Sequence, residues 1–248
     1  MPYAIGDLHG YADQFDRTLA LVEADGGADA PIVFLGDYVD RGPDARGVLD
    51  RLIAGVDQGR NWTVLLGNHD RMFLRFLRSG DIHDPAIKSG KSWLHPALGG
   101  PTTLASYGVS TPHTADMANE RGDAARKELR AAALEAVPET HLSFLENLPR
   151  IHITDAQVFV HAGIRPGLPL GMQVEDDLIW IREPFLTDRR DHLRLVVHGH
   201  TPVDTPTHYG NRLNLDTGAG YGHPATAALV DGTRAWAVTG AGRVPISS

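Results

Sequence analysis

The sequence predicts an α/β protein, and two kinds of pattern carry that prediction. Five short apolar runs are mostly continuous rather than alternating, which is typical of strands buried on both faces. Helical periodicity separates several of them, and alternation of strands with helices indicates an α/β core. The predicted strands span residues 3–5, 32–35, 63–66, 157–160 and 193–197.

Apolar residues that recur at helical spacing predict the first two helices. Phe15, Leu19 and Val22 form the first stripe, and a Gly-Gly pair follows it as a stop signal. Asp44 lies just after Pro43 and before the second stripe, and we expect it to be the N-cap of that helix. The second stripe consists of Leu49, Leu52, Ile53 and Val56.

The remaining chain divides into a helical part and a strand-rich part. Residues 71–150 hold helical pieces at about 72–77 and 123–137 together with Gly/Pro-rich loops. No linker-like stretch bounds this region, so we expect a mostly helical insertion within one domain that spans residues 1–248. After residue 210, short apolar stretches alternate with turns, which predicts a second, antiparallel-rich sheet.

Composition excludes several classes of function. The 248 residues include no cysteine, so disulfides, thiolate metal sites and a cysteine nucleophile are absent. A formal net charge of −8 argues against a protein that coats nucleic acid, although a local basic pocket for an anionic substrate stays open. No stretch approaches the ~20 apolar residues of a membrane helix, and the N-terminal residues lack secretory-signal features. We therefore expect a cytoplasmic protein.

Each of the five predicted strands leads into a short polar loop that contains glycine. The loops read GDLHG, GDYVDRG, GNHD, HAG and HGHT and begin at residues 6, 36, 67, 161 and 198. Any one of them is compatible with an ordinary surface turn, because Asp, Asn and Gly favour turns. Ligands collect beyond the carboxyl ends of strands in α/β sheets, however, so five such loops together predict one shared cation site.

A further motif, SGKS at residues 89–92, is similar to the end of a phosphate-binding P-loop. That motif needs an earlier glycine, where this chain has Pro85, and a strand directly before it. The pattern predicts no such strand. We therefore reject a P-loop.

The five polar loops, in this order, resemble the motifs of the calcineurin-like metallophosphoesterases and, more narrowly, of the bacterial branch of the phosphoprotein phosphatase family. The resemblance extends from Gly6 to at least Thr217. It implies a four-layer sandwich in which two mixed β-sheets are flanked by helices. It also implies an enzyme that hydrolyses phosphate esters with a water or hydroxide bridging two divalent metal ions.

The same resemblance implies six metal ligands. Asp7 and His9 correspond to ligands of the first ion, and Asp37 corresponds to a carboxylate that bridges both ions. The ligands that complete the second ion are Asn68, His161 and His200. A mixed set of nitrogen and oxygen ligands favours Mn, with Fe or Zn as alternatives, over Ca.

Other residues receive catalytic or binding roles from the resemblance. His69 corresponds to a general acid that protonates the leaving group, and Asp40 to the carboxylate that orients it. Arg41 corresponds to a bidentate phosphate ligand. Arg182 matches a second phosphate-binding arginine of the bacterial branch, but an exposed salt bridge explains that residue equally well. Tyr221 lies where the family has a loop at the rim of the site.

Three functions stay open on this basis. The first is a serine/threonine protein phosphatase, to which the aspartate at position 40 points. The second is a symmetrical bis(5'-nucleosyl)-tetraphosphatase, which shares the metal motifs but usually lacks that aspartate. The third is a non-catalytic scaffold, although such relatives typically lose a ligand and every position is filled here. The expected partners are a phosphorylated protein or a small phosphoester, with no membrane and no nucleic acid.

Overall fold

The structure, a computed structural model, describes residues 1–111 and 120–247. Its first part alternates parallel strands with helices, as the pattern of apolar runs predicts. The elements are β1 (Tyr3–Ile5), α1 (Ala12–Gly26), β2 (Ile32–Phe34), α2 (Ala45–Asp57) and β3 (Trp62–Val64). The predicted N-cap of α2 is confirmed, because the Asp44 side chain accepts a hydrogen bond from the backbone N–H of Gly47 at 2.8 Å.

Helices dominate the segment that follows β3. They are α3 (Asn68–Ser79), α4 (Gly100–Ser106), α5 (Glu120–Ala136) and α6 (Glu139–Asn147). The helices predicted near residues 72–77 and 123–137 are confirmed, and both extend further than predicted. Residues 80–99 connect α3 to α4 without a helix or strand.

The second sheet contains five strands and begins after α6. Its strands are β4 (Ile151–Ile153), β5 (Gln157–Val160), β6 (Leu195–His198), β7 (Thr207–His208) and β8 (Arg212–Asn214), and α7 (Glu175–Trp180) lies between β5 and β6. The spatial order is β4-β5-β6-β8-β7. Strands β5, β6 and β8 are parallel, so their carboxyl ends lie at the same edge of the sheet.

The last three strands join the first sheet, so the prediction that the C-terminal strands form a second sheet is wrong for them, whereas β8 from the same region does belong to the second sheet. Strands β9 (Ala227–Asp231), β10 (Arg234–Thr239) and β11 (Gly242–Pro245) are antiparallel, as expected. However, β9 pairs with β1, so that Tyr3 lies opposite Leu229, and the sheet order is β11-β10-β9-β1-β2-β3. A local pattern of alternation does not specify the partner, which packing across the whole chain selects.

Alternate residues of the strands face two different cores. Tyr3 and Ile5 of β1 pack in the larger core with the helices, whereas Ala4 packs between the sheets. Phe159 and Val197 enter that same inter-sheet core from β5 and β6. Two mixed sheets packed face to face and flanked by helices confirm the predicted fold class. Within the described ranges, no helix is both long and apolar enough to cross a membrane.

Candidate metal centre

Loops that leave the parallel strands of both sheets meet at one place. The side chains that directly follow β1, β2, β3, β5 and β6 include Asp7, Asp37, Asn68, His161 and His200. Hydrogen bonds join these loops: His161 Nδ1 donates to the carbonyl of Leu35 at 2.9 Å, and the backbone N–H of His200 donates to Asp7 at 3.3 Å. The structure therefore brings together residues that are far apart in the sequence.

The Asp37 carboxylate lies between two groups of possible ligands. His9 and His69 flank it on one side, and His161 and His200 on the other; within each group the ligand atoms lie within 4.8 Å of one another. Asp37 Oδ2 is 3.5 Å from His9 Nε2, and Oδ1 is 3.5 Å from His161 Nε2. One oxygen on each side is the arrangement that a bridging ligand requires.

The ligand atoms fit cations because acceptors face one another with no proton between them. His161 donates its Nδ1 proton to a backbone carbonyl, so its Nε2 presents a lone pair 2.8 Å from Asn68 Oδ1. His9 Nδ1 likewise donates to a backbone carbonyl at 3.0 Å, which leaves Nε2 as an acceptor that faces Asp37 and is also contacted by Arg41 Nη1. Facing acceptors are unfavourable unless a positive charge lies between them, so these residues fit divalent metal ions.

Burial disfavours the charged forms of several of these side chains. It lowers the pKa of His9 and of His200 well below the usual range. Burial, followed by the charges of Asp216 and Asp37, raises the pKa of Asp7 well above the usual range. A bound cation would favour the ionised carboxylates and the neutral imidazoles together, because it attracts the first and repels protons from the second.

Beside the possible ligands, His69 and Asp40 form a buried pair. His69 Nδ1 lies 2.6 Å from Asp40 Oδ2. Trp93 Nε1 and the Thr103 hydroxyl also donate to this carboxylate, at 2.9 and 2.7 Å. Burial raises the pKa of Asp40 to about 7, against the lowering effect of those two hydrogen bonds, and burial lowers the pKa of His69 to about 3. The imidazole is therefore fixed in orientation, with Nε2 directed toward Arg41.

The guanidinium of Arg41 reaches across the centre. Its Nη2 lies 3.1 Å from His69 Nε2, and its Nη1 contacts His9 Nε2. Arg41 Cζ also lies 4.9 Å from the centroid of the Tyr221 ring. The backbone of Arg41 is held closely by Gly99, where a Cβ would lie 2.2 Å from the Arg41 nitrogen and φ is +93°. Only glycine satisfies both conditions.

Asp70 holds the loop that carries Asp37. Its carboxylate accepts hydrogen bonds from the backbone N–H groups of Asp37, Tyr38 and Gly67, each at 2.9 Å. Burial, and then the charge of Asp37, raises the pKa of Asp70 to about 8. The motif GNHD thus supplies a loop anchor besides a possible ligand and a possible acid.

Backbone strain is concentrated at the centre. Left-handed φ values in non-glycine residues are unfavourable by roughly 1–3 kcal/mol each and persist only where the surrounding structure holds them. In the described chain six such residues occur, and one of them, Leu193, lies outside the centre. The other five are His9, Asp37, Asp40, Arg41 and His200. Such clustering is typical of a functional site.

The centre opens into a cavity of about 340 Å³. Arg182 lines this cavity, is exposed, and makes no ion pair with any residue in the described part of the chain. The salt-bridge alternative for Arg182 therefore has no support, whereas its position is compatible with phosphate binding. Trp180 and Tyr221 also line the cavity.

Sequence reasoning missed Asp216, Trp93 and Thr103. Asp216 is buried and follows β8, so that it lies at the exit of one more parallel strand. The sequence NLDTG has an aspartate and a glycine directly after a short apolar run, as the other strand exits do, so Asp216 could have been predicted from the sequence. Trp93 and Thr103 lie outside the strand exits, in the helical region, and carry no such signal.

Comparison with known proteins identifies the class. The family of calcineurin-like phosphoesterases matches residues 3–229. The chain belongs to this family of metallophosphoesterases and is a metal-dependent hydrolase of phosphoric esters.

Two curated relatives share a name. The bis(5'-nucleosyl)-tetraphosphatase PrpE (asymmetrical) of Bacillus cereus (strain ATCC 10987 / NRS 248) is 25% identical over 246 residues, which cover 90% of this chain and 87% of the relative. Its counterpart from Anoxybacillus flavithermus (strain DSM 21510 / WK1) is 28% identical over 250 residues, with the same coverage of 90% and 87%.

Solved structures support the fold. A candidate diadenosine tetraphosphatase matches with a TM-score of 0.65 and 20% identity, covering 100% of this chain and 94% of the other. A cold-active protein-tyrosine phosphatase of a psychrophilic Shewanella species matches with a TM-score of 0.59 and 16% identity, covering 99% and 80%. At these identities the likeness shows the fold alone.

Proposed function

We propose that this protein hydrolyses dinucleoside tetraphosphates asymmetrically at a centre of two divalent ions, with Mn preferred over Fe or Zn. Asp7, His9 and Asp37 would hold the first ion. The second would be held by Asp37, Asn68, His161 and His200. The observation that carries the dinuclear assignment is the Asp37 carboxylate, with one oxygen facing an imidazole on each side.

The substrate assignment draws on two supports. Both curated relatives are named asymmetrical tetraphosphatases, and for that reason we favour asymmetrical over symmetrical cleavage. The cavity is lined by cationic side chains, among them Arg41 and Arg182, which suit a substrate with several negative charges.

The chain's own residues divide the chemical work. When bound, the two ions supply Lewis acidity at the phosphoryl oxygens and lower the pKa of a water. Arg41 binds and orients the phosphoryl oxygens that do not take part in bond exchange. The water oxygen forms a bond to phosphorus as the bond from phosphorus to the leaving oxygen breaks, and the water's proton passes to solvent.

His69 and Asp40 serve the leaving group. Protonated His69 donates its Nε2 proton to the leaving oxygen, and the Asp40 carboxylate next to Nδ1 stabilises the imidazolium. The negative charge of a bound substrate raises the pKa of His69 from its low value, because a nearby anion favours the charged imidazole.

A serine/threonine protein phosphatase is the second candidate, and the His69–Asp40 pair favours it. A serine alkoxide is a strongly basic leaving group that needs a proton, whereas a phosphate chain leaves as a stabilised anion. The two candidates therefore depend on His69 to different degrees.

Assays of the metal-reconstituted enzyme separate the candidates. We expect the highest kcat/KM with diadenosine tetraphosphate, with AMP and ATP as products resolved by chromatography, and lower values with a phosphoserine peptide and with p-nitrophenyl phosphate. Exclusive formation of ADP would contradict asymmetrical cleavage, and a higher kcat/KM for the peptide would favour the second candidate. Chelation should abolish activity and Mn²⁺ should restore it.

The variant His69→Asn tests whether His69 is the general acid. We expect hydrolysis of the phosphoserine peptide to fall by ~10²–10⁴-fold, the usual contribution of general acid catalysis, and hydrolysis of p-nitrophenyl phosphate to fall far less. His152→Asn, on β4 and away from the cavity, is the matched control and should change neither rate. Equal losses on both substrates with metal retained would show that His69 does not act on the leaving group.

A further inference from the structure

The loop between α3 and α4, which we call the lysine loop, forms one wall of the cavity. Residues 80–99 contain no helix or strand, and the lining residues include Lys88, Ser89 and Lys91 from the middle of this loop. Loops of this length without secondary structure are uncommon in compact folds and usually carry function. The SGKS motif, rejected as a P-loop, lies in this segment.

Both ends of the loop are anchored. Near its start, the buried Asp84 accepts two hydrogen bonds from Arg71, at 2.8 and 3.0 Å. Near its end, the buried Trp93 stacks on Phe73 with ring centroids 5.6 Å apart and donates to Asp40. Residues 85–92 are therefore held in position relative to the catalytic pair.

The lysines of this loop are exceptional within the chain. The sequence has twenty arginines but only three lysines, at positions 88, 91 and 127. Lys88 and Lys91 line the cavity. Lys127 lies on α5 and is not among the described residues that line the cavity. Both cavity lysines are exposed, and neither forms an ion pair within residues 1–111 and 120–247. A compact ammonium on a flexible stem suits phosphate oxygens that lack a fixed bidentate geometry.

The positive charge of the wall exceeds what one phosphate needs. A single phosphate group carries about two negative charges at neutral pH, which Arg41 and divalent ions can match. Arg182, Lys88 and Lys91 add three more cationic side chains, and among the lining residues described only Asp37 is acidic. This surplus fits a substrate with additional negative charge next to the attacked phosphate.

A second cavity shares part of its lining with the first. It measures about 720 Å³, and Ser89 and Lys91 line both cavities. His83 and His95 are among its other lining residues. Its volume lies within the ~300–1,000 Å³ typical of small-molecule sites. A molecule extending from the metal ligands past Lys88 and Lys91 would enter it.

We propose that Lys88 and Lys91 form a subsite for the phosphate chain beyond the attacked phosphorus, and that the second cavity receives the nucleoside at the far end of that chain. The subsite rests on the proposed function, because a phosphate must be attacked at the metal ligands. The ligand class is a nucleotide polyphosphate.

The double variant Lys88→Gln/Lys91→Gln tests the subsite in the metal-loaded enzyme. An exposed charge pair contributes little by itself, so we expect kcat/KM for diadenosine tetraphosphate to fall only about tenfold when both lysines are replaced. The rate with p-nitrophenyl phosphate, which has no phosphate chain, should change less than twofold. The salt dependence of tetraphosphate hydrolysis should also become shallower. Lys127→Gln is the matched control, with the same charge change outside the cavity, and should leave both rates unchanged.

Several outcomes would overturn the subsite. Equal losses on both substrates would show that the lysines stabilise the structure and do not bind the phosphate chain. Unchanged rates on both substrates would exclude contact with the phosphate chain. A larger loss on a phosphoserine peptide with acidic flanks than on the tetraphosphate would make the loop a peptide subsite.

A binding measurement separates failure of the subsite from failure of the proposed function. If the wild-type enzyme hydrolyses none of these substrates, the proposed function fails. Calorimetric binding of β,γ-methylene ATP to the metal-loaded protein then still tests the lysines. We expect a Kd about tenfold weaker in the double variant, and an unchanged Kd would overturn the subsite.

Discussion

Side chains on the floor of the cavity are buried and hydrogen-bonded, whereas those on its rim are exposed. The floor comprises His9, Asp37, Asn68, His69 and His200, and the rim comprises Lys88, Lys91, Arg182 and Tyr221. Asp37 is 2% exposed, whereas Tyr221 is 62% exposed. The floor is therefore fixed before any substrate arrives, while the charged groups of the rim gain partners only on binding. The proposed function therefore places the reaction in the buried floor and the choice of substrate in the exposed rim.

The largest effect should come from the floor residue that we propose serves both ions. Asp37→Asn would remove a charge that the two proposed metal sites share, and we expect kcat/KM to fall by roughly 10³-fold or more on every substrate, since metal catalysis contributes several kcal/mol. Elemental analysis should show that the variant retains less metal. Asp44→Asn, the same change in the same loop, should retain activity because asparagine also caps helices. Two metals retained per chain in Asp37→Asn would contradict a bridging role.

Arg41 lies between floor and rim, and its removal should have the next largest effect. Arg41→Ala would delete the charge-assisted hydrogen bonds that we propose Arg41 donates to the phosphoryl oxygens, each of which contributes ~1.5–3 kcal/mol. Because two such bonds would be lost, we expect kcat/KM to fall by at least roughly 10²-fold on all substrates with metal content unchanged. Arg46→Ala on α2, which removes an exposed arginine, is the control. A parallel loss of bound metal would instead assign Arg41 to the structure of the centre.

Trp93 connects the two regions, because it anchors the lysine loop and donates to Asp40. Trp93→Phe removes the donor but keeps an aromatic ring, and we expect about a tenfold loss on a phosphoserine peptide, with a smaller loss on p-nitrophenyl phosphate. Trp62→Phe removes an indole N–H that has no partner among the described atoms, and should be silent. Asp40→Asn should show the same substrate bias. Equal losses on both substrates would show that Trp93 does not act by orienting His69.

The smallest effect concerns the stability of the metal-free protein, which depends on two buried carboxyl groups near the floor. The pKa values of Asp40 and Asp70, about 7 and about 8, exceed the usual ~3.9, so the folded chain binds more protons than the unfolded chain. Their stabilising contribution is complete below pH ~3.9 and is lost as the pH rises through 7 and 8. The buried histidines oppose this trend only below pH ~6.5, where the unfolded chain binds protons.

Thermal unfolding of the chelated protein should therefore show a midpoint that falls between pH 6.5 and 8. Asp70→Asn should make the fall shallower, because it removes one of the titrating groups. A midpoint that rises over this range would contradict the assignment of these carboxyl groups.

The difference between floor and rim also explains which residues of the site could be predicted from the sequence. Floor residues follow strands whose apolar runs and glycines are visible locally, so Asp37, Asn68 and His200 could be predicted to converge. The rim depends on loop geometry: Lys88 lies in a segment with no periodic pattern, and nothing local places Trp93 next to Asp40. The pairing of β9 with β1 was missed for a similar reason, because its determinants are distant in the chain.

That pairing has a consequence for synthesis of the protein. Tyr3 leaves the ribosome early, yet its antiparallel partner Leu229 emerges only after most of the chain has been translated. At roughly 5–20 residues per second this delay is on the order of ten seconds or more. During that interval β1 exposes an unpaired edge. We expect nascent chains to depend on protection from aggregation until the partner strand emerges.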